Sequence, residues 1–290
     1  MRLSLLTDKT ILITGGTGSF GNAFCKYIID SRIRPKKIII FSRDEYKQSI
    51  MKTKFPDTGR FRYFIGDVRD PKRLHRAFAG VDIVIHAAAL KRIEVGEYDP
   101  SEMIMTNIVG GINVIDAAID HGVDKVMFLS TDKAVDPVNL YGATKMCAEK
   151  VCINGNNYVG EKNTKLSVVR YGNVFGSRGS VIDIWNREAP KGEIAVTKPF
   201  ATRFVIQLQD AVEFIIKSIE DMKGGETFIP PDLKAVHMKD VSRAYKDVYG
   251  CRIKHIDLGS YEKVHEKLDE GYTSDKAERL SVDEIIELIS

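Results

Sequence analysis

The chain of 290 residues reads as an α/β protein, a doubly wound parallel sheet with a smaller, discontinuous lobe toward the C-terminus. Three observations predict this. From residue 10 to residue 129, short β-branched runs alternate with longer amphipathic stretches, which is the rhythm of βαβ units. The runs KKIIIF and VDIVIHAAA are continuously apolar, as strands covered by helices on both faces must be. The pattern then breaks up over 176–192, which is rich in glycine, and at Pro199, Pro230 and Pro231.

The first five strands are expected at 10–14, 37–41, 62–65, 81–86 and 125–129. Strands at 166–170 and 226–229 follow helical stretches at 141–154 and 209–222, so both extend the same sheet. We therefore expect a nucleotide-binding domain over 1–176, joined by 204–230. The smaller lobe, over 177–290, is interleaved with it. The last helix, from residue 281, opens with Ser281 and Glu284 as a capping box. The stretch 261–279 reads as solvated helix apart from EKVHE, and His86 and Trp185 read as packing residues.

Composition narrows the function. With 43% hydrophobic and 29% charged residues the chain can bury a large core. Forty-three basic against forty acidic side chains leave a net +3, too even for a nucleic-acid-binding face. No unbroken apolar stretch approaches the roughly 18 residues of a membrane span, and the N-terminus lacks a secretory pattern. Cys25, Cys147, Cys152 and Cys251 form no CxxC pair and read as reduced thiols. A cytoplasmic protein without metal or membrane contact is expected.

The segment ILITGGTGSFG sets Gly15, Gly18 and Gly21 three apart, after the first strand and at the start of a helix. Glycine lets the backbone approach a diphosphate, and the helix start offers free N–H groups and partial positive charge. Thr17, Ser19 and Phe20 share that loop. Where an acid would meet the adenosine ribose of NAD, the second strand runs into Ser42 and Arg43, with Lys47 one turn on. A hydroxyl and a guanidinium fit a 2′-phosphate, so NADP is favoured. Asp67 and Val68 stand where an adenine edge lies, and Ala87 to Ala89 are small enough for close approach.

After the fifth strand, FLSTDKAVDPVNLYGATK places Tyr141 and Lys145 one helical turn apart, on one face. An ammonium beside a phenol favours the phenolate, a base for a sugar hydroxyl. These residues carry a resemblance to the extended short-chain dehydrogenases/reductases. TGGTGSFG, FSRDEYKQS, FIGDVRD, HAAALK, TNIVGG, STDKAVDP, YGATK and VRYGNVFGSRGSVI resemble the inverting UDP-N-acetylglucosamine 4,6-dehydratases in particular. The match runs from about residue 8 to 210. Beyond it, TRF at 202–204 and GSYEKVHE at 259–266 are similar to the family's C-terminal substrate-binding segments, although the usual proline-glycine before EKxHE is replaced here. Membrane-anchored relatives carry a transmembrane region, and many have methionine where this chain has Tyr141; the chain resembles the soluble branch.

The resemblance implies a bound NADP and a three-step reaction. Tyr141 with Lys145 removes the C-4 hydroxyl proton as hydride leaves, with Thr131 bonding the same oxygen. Lys133 takes the C-5 proton and Asp132 helps the C-6 hydroxyl leave as water. Hydride then returns to C-6, and C-5 is reprotonated from the opposite face. A lysine base requires its pKa, ordinarily ~10.4, to be lowered. Burial and positive charge from Lys91 or the nicotinamide are expected to do this.

Non-inverting dehydratases carry Asp-Glu where Asp132-Lys133 stands, so Lys133 argues for inversion. The same resemblance implies cofactor contacts from Lys91 and Asn107, and substrate contacts from Lys91, Asn173, Arg178, Val181, Arg203 and Glu262. UDP-N-acetylglucosamine is the implied substrate, a deoxyamino-sugar or nonulosonate glycan the destination, and a homo-oligomer the implied assembly. The rivals are a UDP-sugar 4-epimerase, against which Lys133 speaks, and a non-catalytic NADP-sensing regulator, which needs no such constellation.

Overall fold

A computed structural model describes residues 5–55, 59–256 and 261–289. In chain order, the large sheet takes β1 (Thr10–Thr14), β2 (Lys37–Ser42), β3 (Phe61–Ile65), β4 (Ile83–His86), β5 (Lys125–Leu129) and β6 (Lys165–Val169). The chain then leaves it for β7 (Asn173–Val174), β8 (Glu193–Val196) and β9 (Thr202–Ile206), and returns with β10 (Thr227–Phe228). The order is β10-β6-β5-β4-β1-β2-β3, parallel throughout. This Rossmann-type arrangement carries all seven strands expected from the sequence.

Helices cover both faces: α1 (Ser19–Asp30), α2 (Glu45–Lys54), α3 (Pro71–Phe78), α4 (Ile93–Tyr98), α5 (Pro100–Ile104), α6 (Gly110–His121) and α7 (Leu140–Gly155). Successive strand residues point to opposite faces. Ile11 and Ile13 of β1 therefore pack with Phe24 and Ile28 of α1. Between them, Leu12 turns to Leu74 and Phe78 of α3 and Val114 of α6. That alternation with no polar face explains the continuous apolar runs. Helix starts are marked by caps: Asp44 accepts from Lys47 N, Asp70 from Arg73 N with Pro71 following, and Asn139 from Gly142 N.

Although the sequence has no unbroken apolar stretch of that length, the helical run Pro100–His121 is long and apolar enough to cross a membrane. Half of its most apolar window is buried. Val114, Ile115 and Ala118 from it pack under the large sheet, as a core helix requires.

The smaller part is built from α8 (Val181–Glu188), α10 (Met238–Tyr249), α11 (Val282–Ile289) and short sheets. These include β11 (Ala235–His237), β12 (Arg252–His255), β13 (Lys267–Asp269) and β14 (Tyr272–Thr273). β9 pairs β7 and β11, and β8 pairs β12. Its own core gathers Trp185, Ile194, Val236, Val241, Tyr245 and Ile285. Helix α9 (Leu208–Asp221) instead packs on α1 and leads into β10. The Ser281–Glu284 capping box forms reciprocally, with bonds of 2.8 and 3.2 Å.

The stretch 261–279 departs from its helical expectation. Among its described residues it holds the β13–β14 hairpin and no helix. Gly271 makes the turn, Leu268 is fully buried, and Tyr272 meets Phe204 edge-on at 5.0 Å. Contacts of alternate residues with the neighbouring sheet outweigh the helical propensity of its charged residues.

Candidate active site

A cleft of about 1240 Å³ opens at the C-terminal ends of β1, β2, β4 and β5, against the smaller part of the molecule. Open α/β sheets bind ligands at this edge because helix starts and loops converge there. Helix α1 begins directly after the glycine loop, and among the described residues no side chain caps it. A Cβ on Gly15 would lie 2.8 Å from Ala88 Cα, and one on Gly21 only 2.0 Å from the Gly16 carbonyl oxygen. Asn22 donates to the Thr17 and Gly18 carbonyls and fixes the loop. Gly15, Thr17, Gly18, Ser19 and Phe20 line the cleft. Gly21 lies behind them as a packing position.

At the end of β2, Ser42 is buried and accepts a 3.1 Å bond from the Thr17 hydroxyl. Arg43 reaches Asp67 at 3.4 Å, and Lys47 pairs with Asp44 at 2.7 Å. All of these, with Val68 and Ala87, line the same end of the cleft. Burial resists the Asp67 charge, but bonds from Arg69 outweigh it and hold the carboxyl below its usual range. Asn107 does not reach the cleft: its amide is spent on Leu90 and on Thr144 of α7, tying the loop after β4 to that helix. His86 is buried beside Thr14 Oγ1 at 2.8 Å, and burial pushes its pKa down to about 3.

The reactive groups meet beyond β5. Thr131 caps a short 3₁₀ turn, Asp132–Ala134, and its hydroxyl donates to Asp132 Oδ1 at 2.9 Å. Lys133 Nζ donates to Asp132 Oδ1 at 3.0 Å and to Asn173 Oδ1 at 2.8 Å. Thr131, Lys133, Tyr141 and Lys145 line the cleft, whereas Asp132 is wholly buried behind them with Oδ2 accepting no bond among the described residues. Burial raises the Asp132 pKa, which suits a proton donor.

Tyr141 is pushed up to about 12, chiefly by burial, with Lys133 pulling the other way. Lys145 falls to about 8 through burial and donates to the Leu129 carbonyl at 2.6 Å. Lys133 therefore supplies the cationic pull on the phenol that the sequence assigned to Lys145.

Lys133 itself overturns an expectation. Burial lowers its pKa as foreseen, but the charges of Asp132 and Glu266 outweigh burial and raise it, so the free site holds an ammonium. The positive charge foreseen from Lys91 does not reverse this. Burial lowers the pKa of Lys91, whose Nζ lies 3.4 Å from Ser177 Oγ.

Asn173, Arg178, Val181, Arg203 and Glu262 also line the cleft, with Arg203 3.5 Å from Glu262. Glu266 and Lys263, which the sequence does not single out, also line the cleft. Their signal lies in EKVHE, the motif that supplies Glu262. Gly259 and Ser260 of that motif lie outside the described residues.

Residues 11–288 match a family model described as polysaccharide biosynthesis protein. A UDP-N-acetylglucosamine 4,6-dehydratase (inverting) from Campylobacter jejuni is 48% identical over 264 residues, 90% of this chain and 78% of its own. The chain belongs to this polysaccharide biosynthesis family of extended short-chain dehydrogenases/reductases. A UDP-glucose 4-epimerase from Rickettsia canadensis is 41% identical over 281 residues, covering 95% of this chain and 82% of its own. The X-ray structure of Pen from Bacillus thuringiensis superposes with a TM-score of 0.92 at 34% identity, covering 98% of each chain.

For a member of this family the fold implies a nicotinamide cofactor, and the residues fit one. The loop around Gly15 and Gly18 leaves backbone room for a diphosphate, and Ala87 to Ala89 leave room beside the sheet.

Proposed function

We propose that the protein is an NADP-dependent UDP-N-acetylglucosamine 4,6-dehydratase. In this reading it is a lyase that holds its cofactor tightly, inverts C-5 of the sugar, and works in the cytoplasm as a homo-oligomer. The observation that carries the reading is the junction of two machineries, with Thr131, Lys133, Tyr141 and Lys145 on one wall of the cleft and Asp132 buried directly behind them. Tyr141, Thr131 and Lys145 suffice to oxidise a sugar alcohol; Asp132 and Lys133 add the acid and base of an elimination. A 4-epimerase or a regulator leaves the second pair without a task. The dehydratase relative supports the same choice, and the four free cysteines suit a reducing compartment.

The nicotinamide, when bound, supplies the hydride acceptor and donor. Tyr141 Oη takes the proton of the C-4 hydroxyl, with Thr131 orienting that oxygen and the Lys133 charge stabilising the phenolate. The C-4 ketone acidifies C-5. Lys133, once deprotonated, removes that proton, and Asp132, whose pKa burial raises so that it can take up a proton, passes one to the departing C-6 hydroxyl. Arg178 and Arg203 suit the diphosphate or uridine ribose, since guanidinium presents donors in a fixed fork. Ser42, Arg43 and Lys47 at the other end support NADP over NAD. The 4-keto product suits a deoxyamino-sugar or nonulosonate glycan.

Incubation with UDP-N-acetylglucosamine in D₂O tests this. NMR should reveal a 4-keto-6-deoxy sugar of inverted C-5 configuration carrying deuterium at C-5. Tyr141→Phe should bind the nucleotide sugar normally but form no ketone. A product epimerised at C-4 with its C-6 hydroxyl intact would make the epimerase the better reading, and retained C-5 configuration would remove inversion.

A further inference from the structure

Lys133 Nζ sits among charges drawn from distant parts of the chain. On its own turn Asp132 Oδ1 is 3.0 Å away, and from the C-terminal segment Glu266 Oε1 is 3.4 Å away. Glu266 is also shared, with Arg203 Nε of β9 at 3.8 Å and Lys263 Nζ at 3.7 Å. Tyr141 of α7 and Lys91 of the loop after β4 also face the ammonium. The Lys133 side chain keeps 18% exposure toward the cleft, whereas that of Glu266 keeps 3%. Lys133 therefore faces a substrate, and Glu266 stands behind it. The second carboxylate oxygen, Oε2, accepts no hydrogen bond among the described residues, so Glu266 is held by charge more than by directed bonds.

We propose that Glu266 is a positioning residue that locks Lys133 as an ammonium in the resting enzyme, so that the amine stays charged until the moment of C-5 proton removal. Its consequence at C-5 rests on the dehydratase reading; the charge lock itself does not. An anion within about 4 to 6 Å of an ammonium typically favours the charged form by roughly 1 to 3 pKa units.

The chemistry gives a reason for such a lock. A neutral primary amine beside a C-4 ketone can add its lone pair to the carbonyl carbon and, with loss of water, form an imine that would trap the sugar. An ammonium has no lone pair for this. C-5 removal then proceeds only after Lys133 gives its extra proton to solvent. The freed lone pair takes the C-5 proton, and the C–H electrons pass to the C-4 oxygen as an enolate.

Two measurements test the lock. The first is an NMR titration of Lys133 Cε in the wild-type protein, expected above the ordinary lysine value of about 10.4. Glu266→Gln should bring it down by roughly 1 unit or more, and Glu266→Asp, which keeps the charge, should leave it near wild type. The second is exchange of the C-5 hydrogen of the 4-keto-6-deoxy UDP-sugar in D₂O, read by mass spectrometry, which bypasses oxidation at C-4.

Exchange needs the neutral amine, so its rate rises with pH through the Lys133 pKa. Glu266→Gln should move that rise to lower pH and speed exchange at neutral pH about tenfold for each unit lost. A wild-type Lys133 titrating at or below the ordinary value, or one that Glu266→Gln leaves in place, overturns the lock. So does a Glu266→Gln protein that exchanges more slowly at every pH with an unmoved profile, the mark of a merely structural residue. If Glu266→Gln fails to fold, the wild-type titration and Glu266→Asp still decide. Absence of C-5 exchange in the wild type, with the titration shift intact, would remove the dehydratase reading and leave the lock standing.

Discussion

Arg43 directly follows β2 with its side chain 48% exposed and, among the described residues, a single long contact of 3.4 Å to Asp67, so little holds it away from an incoming phosphate. Ser42 beside it already receives the Thr17 hydroxyl bond, which aims its oxygen toward the glycine loop. A 2′-phosphate would gain one or two charge-assisted bonds here, each worth about 1.5 to 3 kcal/mol. Arg43→Ala should therefore weaken NADP binding by that order and leave NAD nearly unchanged in a binding titration; equal losses for both cofactors would show that Arg43 does not read the phosphate. Single residues of this kind were legible because the end of a strand fixes where a side chain stands. The charge state of Lys133 was not, since one of the two carboxylates that hold its charge, Glu266, lies 133 positions away and no local window contains both.

Among the elements, α1 shows how tightly spacing and packing are linked. The glycine triplet predicts a nucleotide loop, but the three positions do different work: Gly15 and Gly18 face the cleft, while Gly21 lets the first turn of α1 press against Gly16. Gly21→Ala drives a Cβ to 2.0 Å from the Gly16 oxygen, and backbone must move to admit it. We expect a loss of about 1 to 3 kcal/mol in urea unfolding, typical of overpacking, together with weaker cofactor binding. Unchanged stability would mean that the loop relaxes freely. The β13–β14 hairpin teaches the reverse lesson. Its sequence is charged enough to read as solvated helix, yet burial of Leu268 and the Tyr272–Phe204 contact decide for strand.

At the scale of the molecule, one buried ion pair ties these regions together. Arg170, beyond β6, makes a bidentate pair with Glu149 of α7 at 3.0 and 2.6 Å, and also donates to the Leu268 carbonyl of the hairpin at 2.6 Å. The helix that carries Tyr141 and Lys145 is thereby fastened to the C-terminal segment that carries Glu266. Arg170→Met should cost about 3 to 5 kcal/mol by chemical denaturation, because it strands a buried carboxylate. Adding Glu149→Gln should recover most of that loss. A single-variant cost below about 1 kcal/mol would show the pair to be dispensable.

The sequence by itself determined the parallel sheet, its seven strands, the phosphate loop and the Tyr141–Lys145 face. Each of these depends on periodicity or spacing within a few residues, where backbone geometry leaves little choice. Only the tertiary structure decided that Asn107 and Gly21 serve packing, that 261–279 returns as a hairpin, and that Lys133 is charged. Those outcomes depend on which distant groups share a dry site, and electrostatics there is set by through-space distance, which sequence separation does not encode.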